Sequence, residues 1–239
     1  MKDNSVEVFL LDKKMNNLTL YHGSPEIVFK PEFGKGKPYN DYGRGFYCTE
    51  NIELAKEWAC SENSDGFVNQ YEIPVAKLKI LNLSAENYTV LHWLALLMNH
   101  RMIRVATPVM KRAVEWLNEH YLIDIKEFDA IVGYRADDSY FSFARAFVNN
   151  EISLHQLRYA MKLGKLGEQF VLKSEKAFAS IRFISYAEIR NSIYYPLRKQ
   201  RDDDARAAYR EELDRENLNG LYMRDIIREG VLPNDTRLR

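Results

Sequence analysis

The chain has 239 residues, of which 46% are hydrophobic and 28% charged, enough apolar material for a substantial core and unlike a disordered or fibrous composition. Lysine plus arginine and aspartate plus glutamate both number 34, so no global field draws the chain toward nucleic acid or a membrane surface. There is no charged-then-apolar leader and no apolar run long enough to span a bilayer, so the expected location is cytoplasmic. Cys48 and Cys60, without further cysteines or clustered histidines, make no metal set and read as buried reduced thiols.

Residues 1–17 form a polar lead-in around the short apolar run VEVFLLD. The first firm element is LTLYHGS, whose alternation predicts a strand with His22 at its end, closed by Gly23, Ser24 and Pro25. The following stretch, FKPEFGKGKPYNDYGRG, is too rich in proline, glycine, Asn and Asp for regular structure and reads as a loop. GFYCTE resumes as a strand. Thr49, Glu50 or Asn51 then caps a helix through IELAKEWACSE, with Ile52, Ala55, Trp58 and Ala59 on one face. GFVNQYEIPVAKLKILNL alternates again and reads as one or two strands broken at Pro74.

Two helices follow, ENYTVLHWLALLMNHRM and PVMKRAVEWLNEHYLI, the second opened by Thr107 as N-cap and Pro108 as first helical residue. FDAIVGY reads as a buried strand. Asp137 or Asp138 caps a helix through SYFSFARAFVNN, and Ser153 caps SLHQLRYAMKLG, which stops at Gly164. EQFVLKS is a strand, EKAFAS a short turn and IRFISY a final strand. Beyond Pro196 the composition becomes highly charged, with Asp202 and Arg206 four apart, and residues 197–239 read as an exposed helical appendage to a domain spanning 18–196.

Three fragments stand out by their chemistry: LYHGS (20–24), GRGFYCTENIELAKEWAC (43–60) and GEQFVL (167–172). In order and local context they resemble the three signature strands of the ADP-ribosyltransferase superfamily, in its His-Tyr-Glu branch shared by diphtheria-type toxins and poly(ADP-ribose) polymerase catalytic domains. They also resemble a bacterial family of uncharacterised transferase-like proteins from toxin-antitoxin or defence contexts. The resemblance covers about residues 18–186, and only as an ordered set are the fragments specific.

The resemblance implies an α+β fold, a split β-sandwich of two small, mostly antiparallel sheets with flanking helices, those of residues 86–122 packed outside. It implies NAD as co-substrate, mono-ADP-ribosyl transfer to a macromolecular acceptor, and a role as a toxin or defence effector restrained by the C-terminal segment or a partner protein. His22 would orient NAD through a ribose hydroxyl. Gly23, with Ser24 beside it, would clamp the nicotinamide carboxamide, a close approach that glycine permits. Tyr47 would stack on the nicotinamide ring, with Trp58, eleven residues later, as the second face of a sandwich. Glu168 is the expected catalytic carboxylate, because cleaving the nicotinamide–ribose bond passes through an oxocarbenium-like state that a carboxylate stabilises. Lys30, Lys35 and Lys37, or Arg44, would meet the pyrophosphate.

Departures from the pattern shape the expectation. Leu166 stands where arginine-modifying enzymes carry a second Glu or Gln, which argues against arginine as acceptor, and Ala55 stands where a hydroxyl residue touches the carboxamide. Strand alternation sends Glu168 and Gln169 to opposite faces, so only one of them is catalytic. Against these readings stand plainer ones: His22 as a structural histidine, Tyr47 and Trp58 as core aromatics, Glu168 as a surface residue opening a strand. Asp137 and Asp138 read as a helix cap rather than paired catalytic acids, and His92, His100, His120 and His155 as structural or exposed. Water as acceptor, or an inactive nucleotide- or partner-binding fold, are the alternative functions.

Overall fold

A computed structural model describes residues 17–136, 138–163, 167–214, 217 and 219–239. Residues 1–16, Asp137, Gly164 and Leu166 therefore lie outside the described residues. The elements run in chain order β1 (Asn17–Ser24), β2 (Phe46–Cys48), α1 (Ile52–Ala59), β3 (Gly66–Pro74), β4 (Ile80–Asn82), α2 (Val90–His100), α3 (Pro108–His120), β5 (Ala130–Tyr134), α4 (Asp138–Val148), α5 (Leu154–Ala160), β6 (Glu168–Leu172), α6 (Glu175–Ser180), β7 (Arg182–Ile189), α7 (Asn191–Leu213) and α8 (Met223–Glu229). Short 3-10 turns occupy Ile125–Glu127 and Thr236–Leu238.

The fold is α+β, with one sheet of order β1-β3-β7 and another of order β2-β6-β5-β4. All pairings are antiparallel except β4 with β5. The sheets meet at one isolated bridge, Tyr21 with Thr49, where each residue's N–H donates to the other's carbonyl at 2.8 and 2.9 Å. One face of both sheets closes on a shared core: Leu18, Leu20, Tyr71 and Ile73 from the first sheet meet Phe46, Cys48, Val132, Phe170 and Leu172 from the second. On the opposite face α1 covers β1 and β3 through Ala55, Ala59 and Val68, α2–α5 and α8 build the largest core over Ile131 and Val171, and Ala177 of α6 joins the core between the sheets.

Local chemistry sets several boundaries. Asn51 Oδ1 accepts from the N–H groups of Glu53 and Leu54 and so is the cap of α1. Thr107 accepts from Met110 N with Pro108 in first place, and Ser153 and Gln156 bond reciprocally at the start of α5. Residues 175–180, expected as a turn, form helix α6, because Ser174 Oγ accepts from Ala177 N and Ala177 is fully buried. The helices of residues 86–122 flank the second sheet on the face away from the shared core: α3 buries Met110, Ala113 and Leu117, while Val90–Met98 of α2 is buried on every side and is a centre of the largest core. That run is apolar nearly all round, the pattern of a helix covered on every side.

Helix α7 starts at Asn191, before Pro196, and buries Ala205 and Glu212. Farther along, Met223, Ile226, Val231 and Leu238 enter the largest core, and Val231's carbonyl accepts from the buried Tyr121 hydroxyl at 2.7 Å. Cys48 and Cys60 are free and buried. Among the described residues no helix is long and apolar enough to cross a membrane.

One carboxylate ties the far end of the second sheet. Asp129 accepts from Ser174 Oγ at 2.6 Å, Lys79 N at 2.8 Å and Lys176 Nζ at 3.0 Å. Burial alone would raise its pKa, but these three donors outweigh burial and hold it below the usual value. Asp129→Ala should cost about 2 kcal/mol in urea unfolding at pH 7, the scale of losing bonds to a charged acceptor. A depressed carboxyl stabilises above its unfolded pKa, so the wild-type advantage should shrink as pH falls through the folded value, below about 4.

Candidate functional site

His22, Tyr47 and Glu168 lie on three neighbouring strands. The Tyr21–Thr49 bridge sets β1 beside β2, so His22 falls level with Cys48, and Cys48 pairs with Phe170 of β6. Glu168 is two residues further along β6, which puts its Cα about 12 Å from that of His22, at roughly 4.8 Å per strand and 3.4 Å per residue.

His22 lies half-buried at the edge of the shared core. Its ring lies 4.3 Å from that of Phe46, and its Nδ1 is 2.7 Å from the carbonyl of Tyr47. A carbonyl only accepts, so Nδ1 carries the proton and Nε2 is left as an acceptor. Burial lowers the pKa of His22, and the carbonyl bond offsets this only in part, so the imidazole is neutral at pH 7.

Gly23 follows on the opposite face, directly beneath α1. A Cβ there would sit 2.1 Å from the carbonyl oxygen of Ala55 and 2.7 Å from the nitrogen of Ala59, so the close approach at this glycine is made by the helix. Its backbone has another freedom. Tyr21 spends its N–H and C=O on Thr49, and in an antiparallel ladder every second residue points the same way, so those of Gly23 aim at the same edge just where β1 and β2 part. Ser24 is buried and committed: Oγ donates to the Glu26 carbonyl at 2.6 Å and accepts from Asn69 Nδ2 at 3.0 Å.

Tyr47 faces the helical side and is held at its hydroxyl, which donates to the Gly43 carbonyl at 2.6 Å and accepts from Tyr42 N at 3.1 Å. Burial drives its pKa well up, so it stays a neutral phenol. Trp58 is half-buried, and the Arg135 guanidinium lies 3.8 Å over its ring centre, on one of the two faces a sandwich requires. Ala55 is fully buried on the underside of α1.

Glu168 and Gln169 point to opposite faces. Gln169 shares the face of Tyr47 and is buried, its Nε2 donating to Asp41 Oδ2 at 2.7 Å and to the Tyr134 carbonyl at 3.2 Å. Glu168 opens β6 at the rim of the sheet, exposed, with the Ser84 hydroxyl donating to its Oε1. Of the two, only Glu168 offers a carboxylate to a solvent-borne ligand.

The basic candidates are placed otherwise. Arg44 turns back on its own loop, donating to the carbonyls of Gly34 at 3.0 Å and Gly36 at 3.1 Å. Lys35 pairs with Glu32 at 2.6 Å, while Lys30 and Lys37 are exposed. Asp138 begins α4. His92 caps α2 by accepting from Thr89 N, His120 stacks on Trp116 at 4.0 Å, and His155 is exposed. Among the described residues no group of three or more His, Cys, Asp and Glu is arranged to hold a metal ion.

Asp41 is the residue that sequence reasoning missed. It lies in the glycine-rich loop yet is almost fully buried, accepting from Arg101 Nε at 2.8 Å, Ala136 N at 2.8 Å and Gln169 Nε2 at 2.7 Å. It thereby pins the loop to α2, to the segment after β5 and to β6. Beside it the Tyr134 carbonyl collects bonds from Tyr42, Trp93 and Gln169 at 2.8, 3.1 and 3.2 Å.

A sequence-family model described as "Protein of unknown function (DUF3990)" matches residues 18–183. No curated protein matches the chain, and no solved structure does.

Proposed function

The chain belongs to the DUF3990 family, and we propose that it transfers ADP-ribose from NAD to a macromolecular acceptor, releasing nicotinamide. The observation that carries the proposal is topological: the three fragments that resemble the transferase signature, far apart in sequence, occupy the adjacent strands β1, β2 and β6.

The residues suit NAD in part. His22 Nε2 is an acceptor of fixed tautomer, suited to a ribose hydroxyl. Gly23 offers a backbone donor and acceptor at the edge where the strands separate, the pair that a carboxamide needs. Glu168 supplies an exposed carboxylate for the positive charge that develops on the ribose as the nicotinamide bond breaks. Nicotinamide leaves neutral and needs no acid. The acceptor nucleophile forms the new bond to C1′ and loses its proton, which Glu168 would take as base. Trp58 and Arg44 suit the role less well, one ring face being covered and the guanidinium being spent on the loop.

The proposal is tested by incubating the protein with NAD labelled in the adenylate and a cell lysate, digesting in parallel with protease and nuclease, and measuring free nicotinamide. The expected result is nicotinamide release with label in one macromolecular fraction, reduced at least tenfold by His22→Ala. Release without labelled macromolecule assigns water as acceptor. No release in excess of a no-protein control overturns the reading. Toxicity on expression, relieved by Glu168→Gln, is the companion phenotype expected of an effector that a partner protein restrains.

A further inference from the structure

A cavity lies away from His22, below the loop of residues 33–45, at the end of β6 opposite Glu168. It encloses about 980 Å³, within the range of small-molecule sites. Its wall is apolar on one side: Phe33 and Phe178 meet edge to face at 5.6 Å, and Phe128 and Leu122 continue the surface. Phe33 and Leu122 stay 53% and 42% exposed, which is unusual for large apolar residues gathered around one opening.

The other wall carries cationic nitrogens. Lys173 Nζ donates to the Tyr42 carbonyl at 2.5 Å and to the Arg44 carbonyl, and the Arg44 guanidinium is held by two loop carbonyls. Among the described residues no carboxylate comes within ion-pair distance of either. Burial brings the Lys173 pKa down to about 8, and burial followed by repulsion from Lys173 lowers that of His100 beside it. The further charged groups on the lining are Asp124 and Lys126, both exposed on the 3-10 turn, where Asp124 Oδ1 accepts from Lys126 N. A cation paired only with neutral carbonyls, beside an apolar wall, favours a ligand carrying the missing negative charge.

We propose that this cavity binds a small organic anion, a carboxylate or phosphate monoester whose charged end meets Lys173, with the Arg44 charge adding to the local field, and whose aromatic or aliphatic body lies along Phe33, Phe128, Phe178 and Leu122. Of the candidate NAD residues only Arg44 lines this cavity, and the proposal rests on Lys173 and the apolar wall, so it stands whether or not the transferase reading does.

The test is a fluorescence titration of the full chain with the aromatic anion anilinonaphthalene sulfonate, followed by displacement with octanoate, phenyl phosphate and uncharged octanol. The expected result is one probe per chain, displaced by octanoate, phenyl phosphate or both, and far less by octanol. Whichever anion displaces at the lower concentration identifies the head group. Lys173→Met should weaken binding at least tenfold. Because that change also removes loop bonds, Leu122→Glu provides the second arm: it places a negative charge at the exposed rim, leaves the loop intact, and should weaken binding severalfold. The affinity for octanoate should fall between pH 7 and 9, as Lys173 loses its charge. Equal displacement by octanol, several probes per chain, or unchanged binding in Leu122→Glu overturns the proposal.

Discussion

Glu168→Gln should lower the rate of nicotinamide release by 100-fold or more, with the KM for NAD changed less than threefold. The substitution keeps the shape and the bond from Ser84 while removing the charge that the oxocarbenium-like state requires and the ground state does not. An interaction realised only in the transition state appears in kcat, and preorganised charge of this kind is commonly worth 100- to 1000-fold. Because Glu168 is exposed at the first position of β6, the melting temperature should barely move. A variant that releases nicotinamide at the wild-type rate rules the residue out as catalytic. The companion substitution Gln169→Leu distinguishes the neighbours: it breaks bonds to Asp41 and the Tyr134 carbonyl, so it should act chiefly on stability.

Asp41→Ala should be severely damaging to the fold, at about 3–5 kcal/mol in urea unfolding. The change leaves the partly buried Arg101 without its carboxylate and the Ala136 N–H and Gln169 amide without their acceptor; breaking a buried charge pair from one side has this cost. In a chain of this size the melting temperature should fall on the order of 10 °C. Asp41→Asn, which retains an oxygen acceptor but not the charge, should lose less. If Asp41→Ala melts within about 2 °C of the parent, the loop is not held in this way.

Period and punctuation made most elements readable in advance. Alternation marked β1 and β3, Pro74 separated β3 from β4, and side-chain caps at Asn51, Thr107 and Ser153 opened their helices close to the expected positions. Failures came where tertiary contacts outweigh local pattern. EKAFAS carries no long periodic signal, yet Ser174 and one buried alanine make it a helix. The charged C-terminal stretch hides Ala205, Met223 and Ile226 among ionic neighbours, and the last two are buried by helices far back in the chain.

The candidate site was legible as an ordered set of fragments, which fold onto adjacent strands. Its detailed wiring was not. Nothing in NDYGRG announces that Asp41 turns inward while its neighbour Arg44 turns back to its own loop. Composition marks such a loop as irregular without saying which polar groups it buries. The pairing of Arg135 with Trp58 is equally silent in sequence, since the two lie 77 positions apart.

The seat of α1 has a consequence for whatever meets Trp58. Gly66, like Gly23, faces the helix so closely that a Cβ would stand 2.0 Å from the Ala59 carbonyl. Two missing methyls, one on each of two paired strands, thus fix the height of the helix over the sheet. A molecule approaching the indole meets a wall that cannot retreat, so accommodation must come from Arg135 swinging aside.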